Sequence, residues 1–237
     1  MDRTAIEKIA EMSAPNIITE NGYSYSDKAL QVISVPVVDT VNFNTLRGLV
    51  ETLKKEYTNF DNTIIVNVKS YNKVEVLTSI NDADRSREYP YEAKSETTAF
   101  EFGRRLDYET MIIALKSKFA ETPELLNVVQ LLGNITNEQS AQTLDDGFTQ
   151  NVVVKKGIAL KENKNIKPIV KLKPYRTFLE VEQPESEFLL RLHDGSTVAL
   201  YEADGGAWKL EARSKIAEYL RSELANLIES GNVLVTE

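Results

Sequence analysis

The densest concentration of one chemistry in this 237-residue chain lies between Val152 and Phe178. There Lys155, Lys156, Lys161, Lys164, Lys167, Lys171, Lys173 and Arg176 stand against a single acid, Glu162. Side chains alternate across a strand, so Lys167, Lys171 and Lys173 share one face while Ile166, Val170 and Leu172 share the other. A cationic sheet face attracts anions: the phosphates of a nucleotide, a nucleic acid or an acidic protein surface. Tyr175 and Phe178 add rings on which a base can stack. Lys167, Lys171, Lys173, Tyr175 and Arg176 are therefore the candidate ligand-binding residues. The same pattern also describes a solvated face whose lysines discourage edge-to-edge pairing, with the aromatics in the core.

Other constellations carry less chemistry. Glu180, Glu182, Glu185 and Glu187 suggest paired carboxylates, but Gln183-Pro184 interrupts the strand, so no common face follows; these acids can instead neutralise the neighbouring lysines. Asn81-Asp82-Ala83-Asp84 resembles the start of a calcium loop, yet Arg87 stands where the loop needs glycine and Ala93 where it needs a bidentate acid. Gly205-Gly206 precedes a helix, whose first amides can face a phosphate, but no G-x-x-x-x-G-K-[ST] is present and Glu202 and Asp204 are adjacent, so a plain strand-to-helix turn is expected. His193 and Asp194 could form a base and its orienter, but no nucleophile motif accompanies them. Trp208 is expected to anchor the last helix in the core.

Composition excludes more than it assigns. The chain has no Cys and one His, which removes disulfides, thiol nucleophiles, iron-sulfur clusters, cysteine zinc sites and histidine-rich metal sites. No catalytic signature, metal or cofactor is expected, and the balance points away from an enzyme. The net charge of -8 argues against a protein that coats nucleic acid or anionic membrane with its whole surface. Met1–Ala14 interleaves Ile6, Ile9, Ala10 and Met12 with charged residues, which reads as an amphipathic helix rather than a signal peptide. The longest apolar run, Met111–Leu115, is far below the roughly 20 residues that span a bilayer. A cytoplasmic protein without membrane contact is expected.

The elements that must position these residues form runs of helices and runs of strands, which indicates an α+β fold with a mainly antiparallel sheet and packed helices. Tyr23–Val38 suggests one or two short strands. Asn44 caps a helix with Leu46, Leu49, Val50 and Leu53 on one face. Ile64–Val68 and Val74–Ile80 form a hairpin around Tyr71-Asn72, and a short strand is expected at Tyr89–Ala93. Asp107 caps a helix carrying Met111, Ile112, Leu115 and Phe119. Thr122-Pro123 starts a second with Leu125, Val128, Val129 and Leu132, which Gly133 ends. Together they form a helical insertion at about 104–147 within a single domain, 1–237. Val152–Leu160 and Ile166–Phe178 are predicted strands turned at Glu162-Asn163-Lys164-Asn165, and Phe188–His193 and Thr197–Ala203 form a hairpin around Asp194-Gly195-Ser196. A last helix carries Ile216, Tyr219, Leu220, Leu224, Leu227 and Ile228 as far as Gly231, and Val233–Val235 adds an edge strand.

The run KPYRTFLEVEQPESEFLLRL at Lys173–Leu192, with YEADGGAWKL at Tyr201–Leu210, resembles phage and prophage proteins of the YfdQ-like type. The resemblance covers about a third of the chain. It implies a bacteriophage or prophage origin and expression in an infected bacterium, and it brings no established activity or catalytic residues. With the basic segment it suggests a non-enzymatic accessory protein that binds an anionic ligand and counteracts bacterial immunity by sequestering a nucleotide signal. Two alternatives stand beside it: an interaction module that inhibits a host protein or builds a phage assembly, and a nucleic-acid-binding protein of phage recombination. The expected partners are a nucleotide or other anionic small molecule, a host protein, or further copies of the chain in a homo-oligomer.

Overall fold

The computed structural model describes residues 2–20, 23–28, 39–60, 63–81, 85–136, 141–145, 150–156, 160–166, 168–193 and 197–237. The chain divides into two compact units, Met1–Val38 and Asp39–Glu237. In the first, helix α1 (Arg3–Ser13) precedes an antiparallel pair, β1 (Ile17–Glu20) and β2 (Tyr23–Ser26). The Lys28 ammonium donates to the carbonyls of Met12 and Ala14 at 2.9 Å, where a helix end favours a cation. The expected strand beyond residue 28 lies outside the described residues.

The second unit opens with β3 (Val41–Phe43), α2 (Leu46–Glu56), β4 (Ile64–Ser70), β5 (Lys73–Thr78), β6 (Tyr91–Lys94) and β7 (Leu106–Asp107). There follow α3 (Tyr108–Lys118), α4 (Pro123–Thr136), β8 (Ala141–Asp145), β9 (Gln150–Lys156), β10 (Leu160–Ile166) and β11 (Ile169–Leu172). It closes with β12 (Ser186–His193), β13 (Thr197–Glu202), α5 (Trp208–Glu223), α6 (Ala225–Glu229) and β14 (Val233–Thr236). The fold is α+β. A five-stranded sheet runs β14-β4-β5-β6-β3, a four-stranded sheet β11-β12-β13-β7, and a three-stranded sheet β10-β9-β8. Among the described residues all strand pairs are antiparallel except β14 with β4 and β3 with β6.

Helices α2 and α5 pack on the five-stranded sheet, where Leu46, Leu49, Leu53, Val66, Val76 and Ile216 are fully covered. Helices α3 and α4 pack on the four-stranded sheet over Met111, Leu115, Leu132, Phe188 and Leu200. The α3 cap is as expected: the Asp107 carboxylate accepts the Thr110 N–H at 2.9 Å. At α2 the cap falls one residue later than expected, on Thr45, whose hydroxyl accepts the Gly48 N–H at 3.1 Å.

Three further expectations differ. Gly133 does not end α4, which continues to Thr136 because Leu132 and Ile135 extend the buried stripe, outweighing the roughly 1 kcal/mol helical penalty of glycine. The polar run Glu162–Asn165 is not a turn but lies inside β10, with Glu162 opposite Val154 and Lys164 opposite Val152; an edge strand tolerates polar residues. The last helix breaks at Leu224, whose φ of -102° and ψ of 14° separate α5 from α6 and let Leu227 reach the core. The turn expected at Asp194-Gly195-Ser196 lies outside the described residues.

Candidate functional site

Within the second unit, the segment 173–185 connects β11 to β12 and serves both cores. Phe178 and Val181 enter the α2/α5 core, while Pro174 bridges Phe119 beside α3. Its turns are set by one buried side chain that carries no signal in the sequence. The Gln183 amide oxygen accepts the N–H groups of Arg176 and Thr177 at 3.0 and 3.2 Å, and its nitrogen donates to the carbonyls of Phe178 and Val181 at 3.0 and 3.3 Å. Thr177, also buried, donates its hydroxyl to the Tyr71 carbonyl and so ties the segment to the β4–β5 turn.

This arrangement sets Arg176 against the start of α5. The guanidinium is 7% exposed and lies 3.8 Å from the Trp208 ring centroid and 5.5 Å from that of Phe188. One terminal nitrogen donates to Glu202 at 2.8 Å and the other to the Ser186 hydroxyl. Burial pulls its pKa down to about 10, against the opposing pull of Glu202 and Asp204. Asp204 is pushed up by burial, but hydrogen bonds from Ser186 and the Gly206 amide, together with Arg176, hold it below the usual carboxylate range. Gly205 and Gly206, at φ of 62° and 84°, turn the chain into α5. Asp204 occupies the Gly206 amide at 3.0 Å, so the turn places a carboxylate where a bound phosphate would compete with it.

Arg176, Glu202 and Trp208 also help to wall a cleft of about 310 Å3. Tyr71 and Asn72 of the β4–β5 turn form one side, Ser95, Thr97, Phe100 and Phe102 of the loop after β6 another, and Tyr175, Arg176, Glu202, Trp208 and Lys209 the rest. The loop is fixed by Ser95 N–H to Asn72 O at 3.0 Å and Gly103 N–H to Leu200 O at 2.8 Å. Tyr71 meets the Trp208 ring edge-on at 4.8 Å, and the Lys209 ammonium lies 5.8 Å from both ring centroids. Arg176 Nε and Trp208 Nε1 are buried without a hydrogen-bond acceptor among the described residues.

Of the residues singled out from sequence, the structure brings Tyr175 and Arg176 into the cleft and leaves two lysines apart from its lining. Lys171 sits opposite Glu187 in the ladder, 3.7 Å from its carboxylate. Lys173 pairs with Glu182, which holds its pKa above the usual lysine value. Lys167 lies outside the described residues, as do Asp82 and Asp84 of the calcium-like run. Phe178 belongs to the core. Tyr71, Asn72, Trp208 and Lys209 join the cleft although sequence reading placed the first two only in a turn and the third only in the core.

Among the described residues no group of His, Asp or Glu could hold a metal ion, and no helix is long and apolar enough to cross a membrane. Comparison with protein-family models, curated proteins and solved structures gives no match.

Proposed function

We propose that the protein is a non-enzymatic accessory protein of phage or prophage origin that binds a small anionic molecule carrying a planar ring, a nucleotide signal of bacterial immunity, and withholds it in the host cytoplasm. The observation that supports this reading is the cleft. Tyr71, Phe102 and Tyr175, each half-buried, offer ring faces and edges, and Arg176 and Lys209 outnumber the one carboxylate, Glu202. Its volume falls at the lower end of small-ligand pockets. Nothing in its lining resembles a nucleophile paired with a base, so sequestration rather than turnover fits the residues present.

Native mass spectrometry of the protein purified from infected or immune-activated cells tests this. The expected result is a stoichiometric mass increment that is released on denaturation as an intact nucleotide. Release of a chemically altered nucleotide, or a bare protein that also fails to take up nucleotide in calorimetry, overturns it.

A further inference from the structure

We infer that Lys209, rather than the basic strand, meets the charge of the ligand, that the occupant is a single nucleotide unit, and that Arg176 is a positioning residue that does not itself bind the anion. This deepens the proposed function and rests on it. Arg176 is committed: both terminal nitrogens are engaged and the Trp208 ring covers its face. Its unpartnered Nε–H is itself buried among these groups, and turning the guanidinium toward a ligand would break the Glu202 pair and leave a buried charge uncompensated. Lys171 and Lys173 are matched by Glu187 and Glu182.

Lys209 differs from all three. It lines the cleft, its side chain is exposed, and among the described residues no carboxylate lies within 4 Å of its ammonium. Its contacts are the π faces of Tyr71 and Trp208, near the 6 Å limit of useful cation-π attraction, so an incoming phosphate gains an ammonium already held at the mouth of an aromatic cleft. A volume of about 310 Å3 takes one base with its sugar and phosphate and not a strand. Arg176 acts through Trp208: the stack fixes the indole, the indole fixes Tyr71 at 4.8 Å, and Tyr71 is one of the rings left to face a base.

Titration of Trp208 fluorescence with adenosine and with adenosine 5′-monophosphate separates these roles, because the chain has one tryptophan. In the native protein the monophosphate is expected to bind about tenfold tighter than the nucleoside. Lys209→Ala is expected to bring that ratio close to one. Arg176→Lys, and as a second variant Ser186→Ala, which leaves the cleft lining intact, are expected to weaken both ligands alike, retain the ratio, and shift the Trp208 emission before any ligand is added. A Lys209→Ala protein that keeps the full ratio, or an Arg176→Lys protein that loses it, overturns the assignment while leaving the proposed function standing. Tighter binding of an oligonucleotide than of the monophosphate overturns the single-unit occupant. No saturable change with adenosine, guanosine, cytidine or uridine monophosphate overturns the proposed function itself.

Discussion

Gln183 satisfies four backbone groups with one buried amide, and Arg176 hangs from the segment it organises. Replacing it by Ala leaves the N–H groups of Arg176 and Thr177 buried without acceptors, and a loss of about 2–4 kcal/mol in urea unfolding is expected. Glu75 makes an acid-pH prediction. Burial raises its pKa, but hydrogen bonds from Lys69 and Lys73 outweigh that and hold it below the ordinary 4.5. A carboxylate lowered in the folded state contributes stability that is complete above its unfolded value and is lost as pH falls through the folded one. Glu75→Gln should therefore flatten the decline in unfolding midpoint between about pH 5 and pH 3. At this scale the sequence offered the glutamate run as a neutraliser of the lysines but not which acid meets which lysine. The lysine stripe was visible, whereas its neutralisation depends on Glu187 lying opposite Lys171 and on the return of Glu182, which only pairing and loop geometry determine.

Among the elements, the glycines separate local preference from tertiary demand. Gly133 sits inside α4, and a Cβ built on it meets nothing within 4 Å, so Gly133→Ala is expected to raise stability by about 0.5–1 kcal/mol in thermal unfolding. Gly205→Ala and Gly206→Ala should instead destabilise, by about 1 kcal/mol each, because their φ of 62° and 84° suit only glycine well. Elements with a strong period or a clear cap were legible: α2 from its leucines, α3 from Asp107, and the β4–β5 hairpin from alternation around Tyr71-Asn72. The weaker ones were decided by burial. Leu132 and Ile135 carry α4 past its glycine, and the polar β10 is stabilised by its ladder with β9 rather than by an alternating pattern that could be read.

For the second unit as a whole, long-range pairing builds what no local signal announces. β14 joins β4 across more than half the sequence, β7 completes the sheet of β13, and the segment that carries Arg176 enters one hydrophobic cluster through Phe178 and Val181 and meets Phe119 of the other through Pro174. Truncating either cluster, by Leu49→Ala or Leu132→Ala, should cost about 2–5 kcal/mol and lower the unfolding midpoint seen by far-ultraviolet circular dichroism. The cleft itself is a product of this scale. It draws on a hairpin turn, a loop, the exit of β11, the end of β13 and the start of α5, so the sequence could mark Tyr175 and Arg176 as candidates but could not gather Tyr71, Trp208 and Lys209 beside them. The most direct test is the proton–nitrogen correlation spectrum of the labelled protein, in which the single tryptophan gives one indole N–H signal, recorded through a titration with adenosine 5′-monophosphate. A saturable displacement of that signal is the expected result; an indole signal that stays fixed while amides of β11 and β12 move would place the anion on the basic sheet and contradict a site in the cleft.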